Sequence, residues 1–279
     1  MQEMQSINAL SLTPDVNGWL ANSRYPRILH VFDYACNLIN ERGEVLSIVT
    51  REIGNGPFNL VIEEDVLFSD HLNLESPISN SPSLLNLGDL TINTGNAELW
   101  FPRPDWETLH VRRDEVLALL AKLPVTNYQL LNSPFSNSLA SSLANADLPA
   151  SINAAQKLAG LGIGLTPSGD DFIMGAILAA WIIHPADVAG VLAAGVTEVA
   201  AALTTSLSGV WLRSAGRGEA GILWHNFFDA LISVDAIAIQ LLIKKMLSIG
   251  HTSGADALAG FFGVFTAWAG VFRKNLVGV

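Results

Sequence analysis

The run Gly160-Leu-Gly-Ile-Gly-Leu-Thr-Pro-Ser-Gly-Asp-Asp-Phe172 places alternating glycines, two hydroxyls, a proline and two adjacent carboxylates directly before a long apolar stretch. Gly160 is positioned to end a preceding helix in the left-handed conformation, and Gly162 and Gly164 permit close backbone approach or positive φ. Thr166-Pro167 reads as an N-cap followed by an N1 proline, and Ser168-x-x-Asp171 has the outline of a capping box. Either way, Ser168, Gly169, Asp170 and Asp171 fall in a first helical turn, where unpaired N–H groups and the positive end of the helix dipole are available. The chemistry such a turn supports is recognition of a small polar ligand.

A second copy lies near the other end of the chain. Ser168-Gly169-x-Asp171-x-x-x-Gly175 matches Ser253-Gly254-x-Asp256-x-x-x-Gly260 position for position. His251 and Thr252 precede the second copy, and His251 is placed to act as acid or base. Two similar helix starts related by a local pseudo-two-fold would form a pocket of N–H groups, hydroxyls and carboxylates. A third segment, Thr204-Thr205-Ser206 through Arg213 and Arg217, reads as a linker and N-cap before a helix. Its two arginines share a face and could grip an anion bidentately. The alternative is that both Ser-Gly-x-Asp motifs only cap helices and that the arginines form a solvated face. Capping and ligand binding are compatible. His110, His184 and His225 have no comparable context and read as structural.

Two adjacent carboxylates oppose a bare phosphate at this turn. They would tolerate a metal-bound anion, with oxygen-liganded Mg²⁺ as the ion, or accept hydrogen bonds from an amide or carbamoyl NH₂. The sequence itself requires no cofactor. No spaced His/Cys set suggests zinc, no Gly-Lys-Ser/Thr makes a Walker loop, and a helix rather than a strand precedes the glycines.

The elements that must position these groups divide by character. The first part reads as short strands: Arg27–Leu38, Val45–Val49 after the Glu41-Arg42-Gly43 turn, and Phe58–Ile62 after Gly54–Pro57. Leu90–Asn93 and Ala97–Phe101 look like a hairpin across Thr94-Gly-Asn96. Beyond Pro104 the periodicity is helical: Asp114–Leu123, then Ser151–Ala159, Phe172–Ile183, Ala186–Leu203, Leu207–Ala215, Ala220–Leu231, Val234–Leu247 and Ala255–Phe272. Residues 68–87 and 124–148 look like loops. The fold expected is α+β: an antiparallel β-rich barrel or sandwich over residues 1–113, then a helical domain over 114–279 carrying the motifs.

Of 279 residues, 50% are hydrophobic and 15% charged, which implies a sizeable core. Lys and Arg number 15 against 26 Asp and Glu, a net charge of −11 with no basic cluster, so nucleic-acid binding is not expected. The single cysteine, Cys36, forbids an intrachain disulfide. No signal peptide is read at the N-terminus. The apolar run Ala257–Phe272 falls short of the roughly 18–20 residues of a membrane span, so no membrane association and a cytoplasmic location are expected.

At Gly160–Asp171, Thr204–Arg217 and Gly250–Asp256 the chain resembles a family long labelled as a domain of unknown function, one member of which is a subunit of the allantoin-pathway oxamate carbamoyltransferase. One departure is Ile163, where the family pattern has proline; it bears on loop stiffness more than on chemistry. The resemblance covers most of the chain and is weaker over the β-rich part. It implies a complex with an FdrA-like, acyl-CoA synthetase-related subunit and a second subunit of unknown domain type. The reaction implied interconverts oxalurate plus phosphate with oxamate plus carbamoyl phosphate.

The site expected from motifs and resemblance together has Asp170, Asp171 and His251 as catalytic groups. Gly162, Gly164, Thr166, Ser168, Gly169, Thr205, Ser206, Arg213, Arg217, Thr252, Ser253 and Asp256 would bind the ligand. The alternative is a non-catalytic assembly or regulatory subunit that binds a metabolite.

Overall fold

The structure, a computed structural model, describes residues 5–122 and 133–277. It divides into two compact units, Met1–Pro102 and Arg103–Val279. Leu123, the last residue of one expected helix, lies outside the described residues.

The first unit runs β1 (Gln5–Leu12), α1 (Pro14–Asn22), β2 (Arg27–Val31), β3 (Ala35–Ile39), β4 (Val45–Val49), β5 (Asn59–Ile62), α2 (Phe68–His71), β6 (Ile78–Ser81), β7 (Leu84–Leu87), β8 (Leu90–Asn93) and β9 (Glu98–Leu99). The strands form one nearly closed, barrel-like sheet in the order β2-β3-β4-β5-β1-β8-β7-β6, with β9 also on β1. Alternate residues point inward. Leu38, Leu46, Ile48, Leu60, Ile62, Leu85 and Ile92 close a core with Trp19, Leu20 and Phe68. α1 starts where Thr13 accepts a hydrogen bond from Val16 N and Pro14 fills the first turn.

The sheet is mixed where an antiparallel one was expected. β4 pairs β5 in parallel, and β1 pairs both β8 and β9 in parallel. The expected hairpin over Leu90–Phe101 is therefore absent. β8 lies beside Gln5–Asn8 and β9 beside Ser11–Leu12, so the chain keeps its direction through Thr94–Asn96 and follows one strand. On its other edge β1 pairs β5 across an irregularity between Ala9 and Ser11. Arg27–Leu38 is two strands, because Phe32 N bonds Ala35 O at 2.8 Å and closes a turn. Residues 68–87, expected as loop, hold α2 and the β6–β7 hairpin; Ser79 and Asn86 lie on its outer face, whereas Asn80 shares the inner face with buried Leu85 and Leu87 and donates to the carbonyls of Leu20 and Ser23. A cleft of about 610 Å³ opens where β8 and β9 part along β1, lined by Asn8, Ser11, Asn55, Glu63, Asn93 and Glu98.

The second unit is helical: α3 (Trp106–Val111), α4 (Arg113–Leu120), α5 (Pro134–Ala144), α6 (Leu148–Leu158), α7 (Ser168–Ile183), α8 (Ala186–Ala201), α9 (Ser206–Gly216), α10 (Ile222–Ser233), α11 (Ala236–Leu247) and α12 (Ser253–Val277). Part of the loop expected over 124–148 is helix: Ser133 and Ser136 form a reciprocal capping box before α5. The rest of that span up to 132 lies outside the described residues. α7 is buried on nearly every side, which explains a sequence apolar all round rather than striped.

α7 and α12 cross at glycine on glycine. A Cβ on Gly175 would overlap the carbonyl oxygen of Ala257, and a Cβ on Gly260 would overlap that of Phe172. The contact is reciprocal: each glycine meets the residue equivalent to the one its partner meets. The pseudo-symmetry extends to whole helices. Helices α5, α6 and α7 are repeated as α10, α11 and α12. The N-cap of α6 is Asp147 and that of α11 is Asp235. The residue before each has a left-handed backbone, Ala146 at φ 56° and Val234 at φ 58°. Asp147 N bonds Ser142 O at 2.9 Å, and Asp235 N bonds Ala230 O at 3.0 Å. Leu158 of α6 and Met246 of α11 present their carbonyls to Gly169 and Gly254, the second residues of α7 and α12. The connection into α7, from Gly162 to Ser168, is longer than that into α12, from Gly250 to Ser253.

Candidate functional site

The site is built at the paired starts of α7 and α12. Thr166 Oγ1 lies 2.9 Å from Ser253 Oγ, and Ser168 Oγ 3.5 Å from Thr252 Oγ1, so hydroxyls of one repeat face those of the other. Asp171 and Asp256, equivalent residues of the two repeats, are both buried, and Oδ2 of each is buried without a hydrogen-bond partner among the described residues. Leaving such an atom unsatisfied costs on the order of 1–3 kcal/mol, so two at matched positions call for a reason.

Burial is the main force on Asp171, and it pushes that carboxyl up to about 8. The Asp256 and Asp170 carboxyls push the same way, while hydroxyl bonds from Ser253 and Thr166 oppose. At neutral pH Asp171 is thus mostly protonated, and its carboxyl can donate as well as accept a hydrogen bond.

Capping does not explain these residues. The N-cap of α7 is Pro167, without a side-chain bond, and the Thr166 hydroxyl meets Ser253 and the Asp171 carboxyl rather than a helix N–H. The capping-box expectation for Ser168 and Asp171 is overturned for the same reason. Asp170 N and Asp171 N bond Pro167 O, and Gly169 N bonds Leu161 O, the latter mirrored by Gly254 N to Ile249 O. The first turn thereby uses most of its own N–H donors. What the site offers is hydroxyls and carboxyls rather than the expected nest of N–H groups.

The remaining expected residues separate into three groups. Asp170 is a latch: it accepts from Gly160 N at 2.8 Å and from the Thr204 hydroxyl. Thr205 caps α9 through Ser208 N and donates to Leu165 O at 2.6 Å, so Thr204 and Thr205 bind the glycine loop and its Asp170 latch to the start of α9, whose first residue, Ser206, is exposed. The loop itself is exposed. Gly162 and Gly164 sit at φ 122° and 100°, and Ile163 between them is 97% exposed. His251 is exposed in the turn before α12.

Arg213 is exposed, and its guanidinium folds back over Gly209 toward the start of α9. Arg217 lies at the far end of that helix and is clasped by Glu219, with bonds of 2.9 and 2.6 Å. The structure does not bring Arg217 to the paired helix starts. His110 and His184 hold the backbone carbonyls of Ile182 and Leu143, as structural histidines do. No group of three or more His, Cys, Asp or Glu side chains that could hold a metal occurs among the described residues. No helix of the described residues is long and apolar enough to cross a membrane.

A barrel-like N-terminal sheet followed by a helical unit with paired Ser-Gly-x-Asp starts defines a two-part protein with a polar, carboxyl-lined site. Residues 158–265 match the family described as oxamate carbamoyltransferase subunit AllH, and residues 8–99 match the AllH family N-terminal domain. The chain belongs to the AllH family, that of a subunit of a multi-subunit oxamate carbamoyltransferase. No solved structure matches the chain.

Proposed function

We propose that this chain is the subunit of a carbamoyltransferase complex that binds the carbamoyl or amide group of the substrate between the starts of α7 and α12. The observation that carries the reading is the matched pair of buried carboxyl oxygens on Asp171 and Asp256 that have no hydrogen-bond partner among the described residues. An amide offers one carbonyl acceptor and an NH₂ with two donors. A protonated Asp171 supplies the donor that the carbonyl needs, and Asp256 accepts from the NH₂. Thr166, Ser168, Thr252 and Ser253 line the mouth, and Arg213, whose guanidinium lies over Gly209 in α9, is the candidate cation for an anionic end. Transfer of a carbamoyl group needs orientation and charge stabilisation more than a covalent nucleophile.

The substrates on this reading are oxamate or oxalurate and carbamoyl phosphate, in cytoplasmic purine breakdown, with an FdrA-like subunit and a second subunit as partners. Mg²⁺ would enter with the phosphate, carried by substrate oxygens and at most two carboxyls of this chain. A regulatory subunit that binds the same group without turning it over is the second reading. It is favoured by one observation: the partner of the Ser168 hydroxyl is the Thr252 hydroxyl rather than an activating base.

The test is carbamoyl phosphate-dependent carbamoylation of oxamate by the chain alone and with both partner subunits, comparing wild type with Asp171→Asn and Asp256→Asn. Turnover only in the full mixture, reduced at least tenfold by either variant with assembly intact, supports the first reading. Full turnover by both variants rules out the site.

A further inference from the structure

The internal repeat provides its own control for the surface of α11. Position by position, α6 and α11 use the same cap, the same left-handed residue before it and the same buried face: Ser151, Ala155 and Leu158 correspond to Ile239, Ile243 and Met246. Their outer faces differ. Exposed Ala146, Pro149, Asn153 and Gln156 of the first copy become Val234, Ile237, Leu241 and Lys244 in the second. Val234, Ile237 and Leu241 are 49%, 75% and 58% exposed. Ile237 and Leu241 lie one turn apart on α11, Val234 stands ahead of them in the left-handed turn before the helix, and exposed Lys244 and Lys245 follow at the C-terminal end of α11.

The fold does not need the apolar part of this stripe, because the first copy is built the same way without it; of the two lysines, Lys245 has a counterpart in Lys157 and Lys244 replaces Gln156. It also carries a cost. Val234 is β-branched and left-handed, a conformation worth about 1–3 kcal/mol of strain, where the first copy uses alanine. An exposed apolar stripe that begins on a strained valine is a surface kept for binding.

We infer that the stripe Val234–Ile237–Leu241 with Lys244 and Lys245 docks an acidic amphipathic helix of a partner subunit of the carbamoyltransferase complex. Charge selects that occupant. The chain carries a net −11, whereas this stripe ends in two lysines with no acidic partner among the described residues. An acidic partner helix pairs them. The inference rests on membership of a multi-subunit enzyme and not on the ligand site, so the two can fail separately.

The experiment uses the full chain and the two other subunits of the complex. Association is measured by light scattering on a sizing column and by titration, with amide hydrogen exchange mapping the footprint. Ile237→Asp with Leu241→Asp should weaken association at least tenfold with an unchanged melting temperature, and Lys244→Glu with Lys245→Glu should do so more steeply at low salt. Val234→Gly separates binding from folding: it should raise the melting temperature while weakening association. Protection of residues 234–245 in the complex completes the support. Unchanged affinity in all three variants overturns the inference. So does failure of the wild type to associate, dimerisation of the chain through this face, or binding of this face to phosphatidylglycerol vesicles in place of the subunits.

Discussion

Asp171 is where sequence, burial and chemistry meet most tightly. An aspartate ordinarily loses its proton near pH 4, but here burial holds the proton up to about 8. In acid both folded and unfolded chains hold it. Between the ordinary aspartate range and about pH 8 only the folded chain does, so stability falls as pH rises through that window and levels off above it. Asp171→Asn, which cannot ionise, should flatten this decline, so that its melting temperature gains on wild type between pH 5 and pH 9. Parallel curves for the two proteins would contradict the raised pKa. The neighbouring Asp170 predicts the opposite kind of variant. It accepts part-buried bonds from Gly160 N and the Thr204 hydroxyl, so Asp170→Ala should cost about 1–3 kcal/mol by removing both. Chemical denaturation measures this directly; a neutral effect would mean that the latch is dispensable.

Helices α7 and α12 set the spacing of the site, because the two buried carboxyls sit on their first turns and the glycine crossing fixes how near the helices come. Gly175→Ala or Gly260→Ala would drive a methyl group into a backbone carbonyl, which cannot swing aside as a side chain can. Each should destabilise by about 1–3 kcal/mol or more and weaken ligand binding. Gly270, with open space around its Cβ position, is the control on the same helix: alanine there should be neutral or stabilise by up to roughly 1 kcal/mol. Equal effects at Gly260 and Gly270 would dissociate the crossing from stability.

The Ser-Gly-x-Asp pair was legible in the sequence because its chemistry depends on residue identity. The rest of the repeat was not. Asp147 and Asp235 persist as caps, but the Ser133–Ser136 capping box of α5 is matched by Gly221 and Trp224 in α10, and exposed Asn153 by exposed Leu241, so the copies keep the helices while changing the residues that start and cover them. The hairpin read across Thr94–Asn96 failed for a related reason. Turn residues report a local bend, whereas partnership of both flanking strands with β1 is a long-range fact with no local signature.

At the scale of the molecule, the chain builds two cores that share no buried residue. One is the aliphatic interior of the N-terminal sheet around Leu46, Leu60 and Ile62. The other is an aromatic and alanine-rich interior in which the rings of Phe227, Phe228, Phe261 and Trp224 meet tilted or edge-on, with centroids 5.4–6.1 Å apart. Each is completed by residues of its own unit. Truncating a buried leucine costs about 2–5 kcal/mol and a phenylalanine about 3–5 kcal/mol, and the cost falls on the unit that owns the cavity. Leu46→Ala should therefore lower the melting of the β-sheet signal and leave the helical signal near its wild-type midpoint. Phe261→Ala should do the reverse and, because α12 carries Asp256, should also weaken ligand binding below its own transition. Circular dichroism at two wavelengths with tryptophan fluorescence distinguishes the cases. A single transition, shifted alike by both variants on every probe, would show that the two units fold as one cooperative body, and the site on α7 and α12 would then draw its stability from the whole chain.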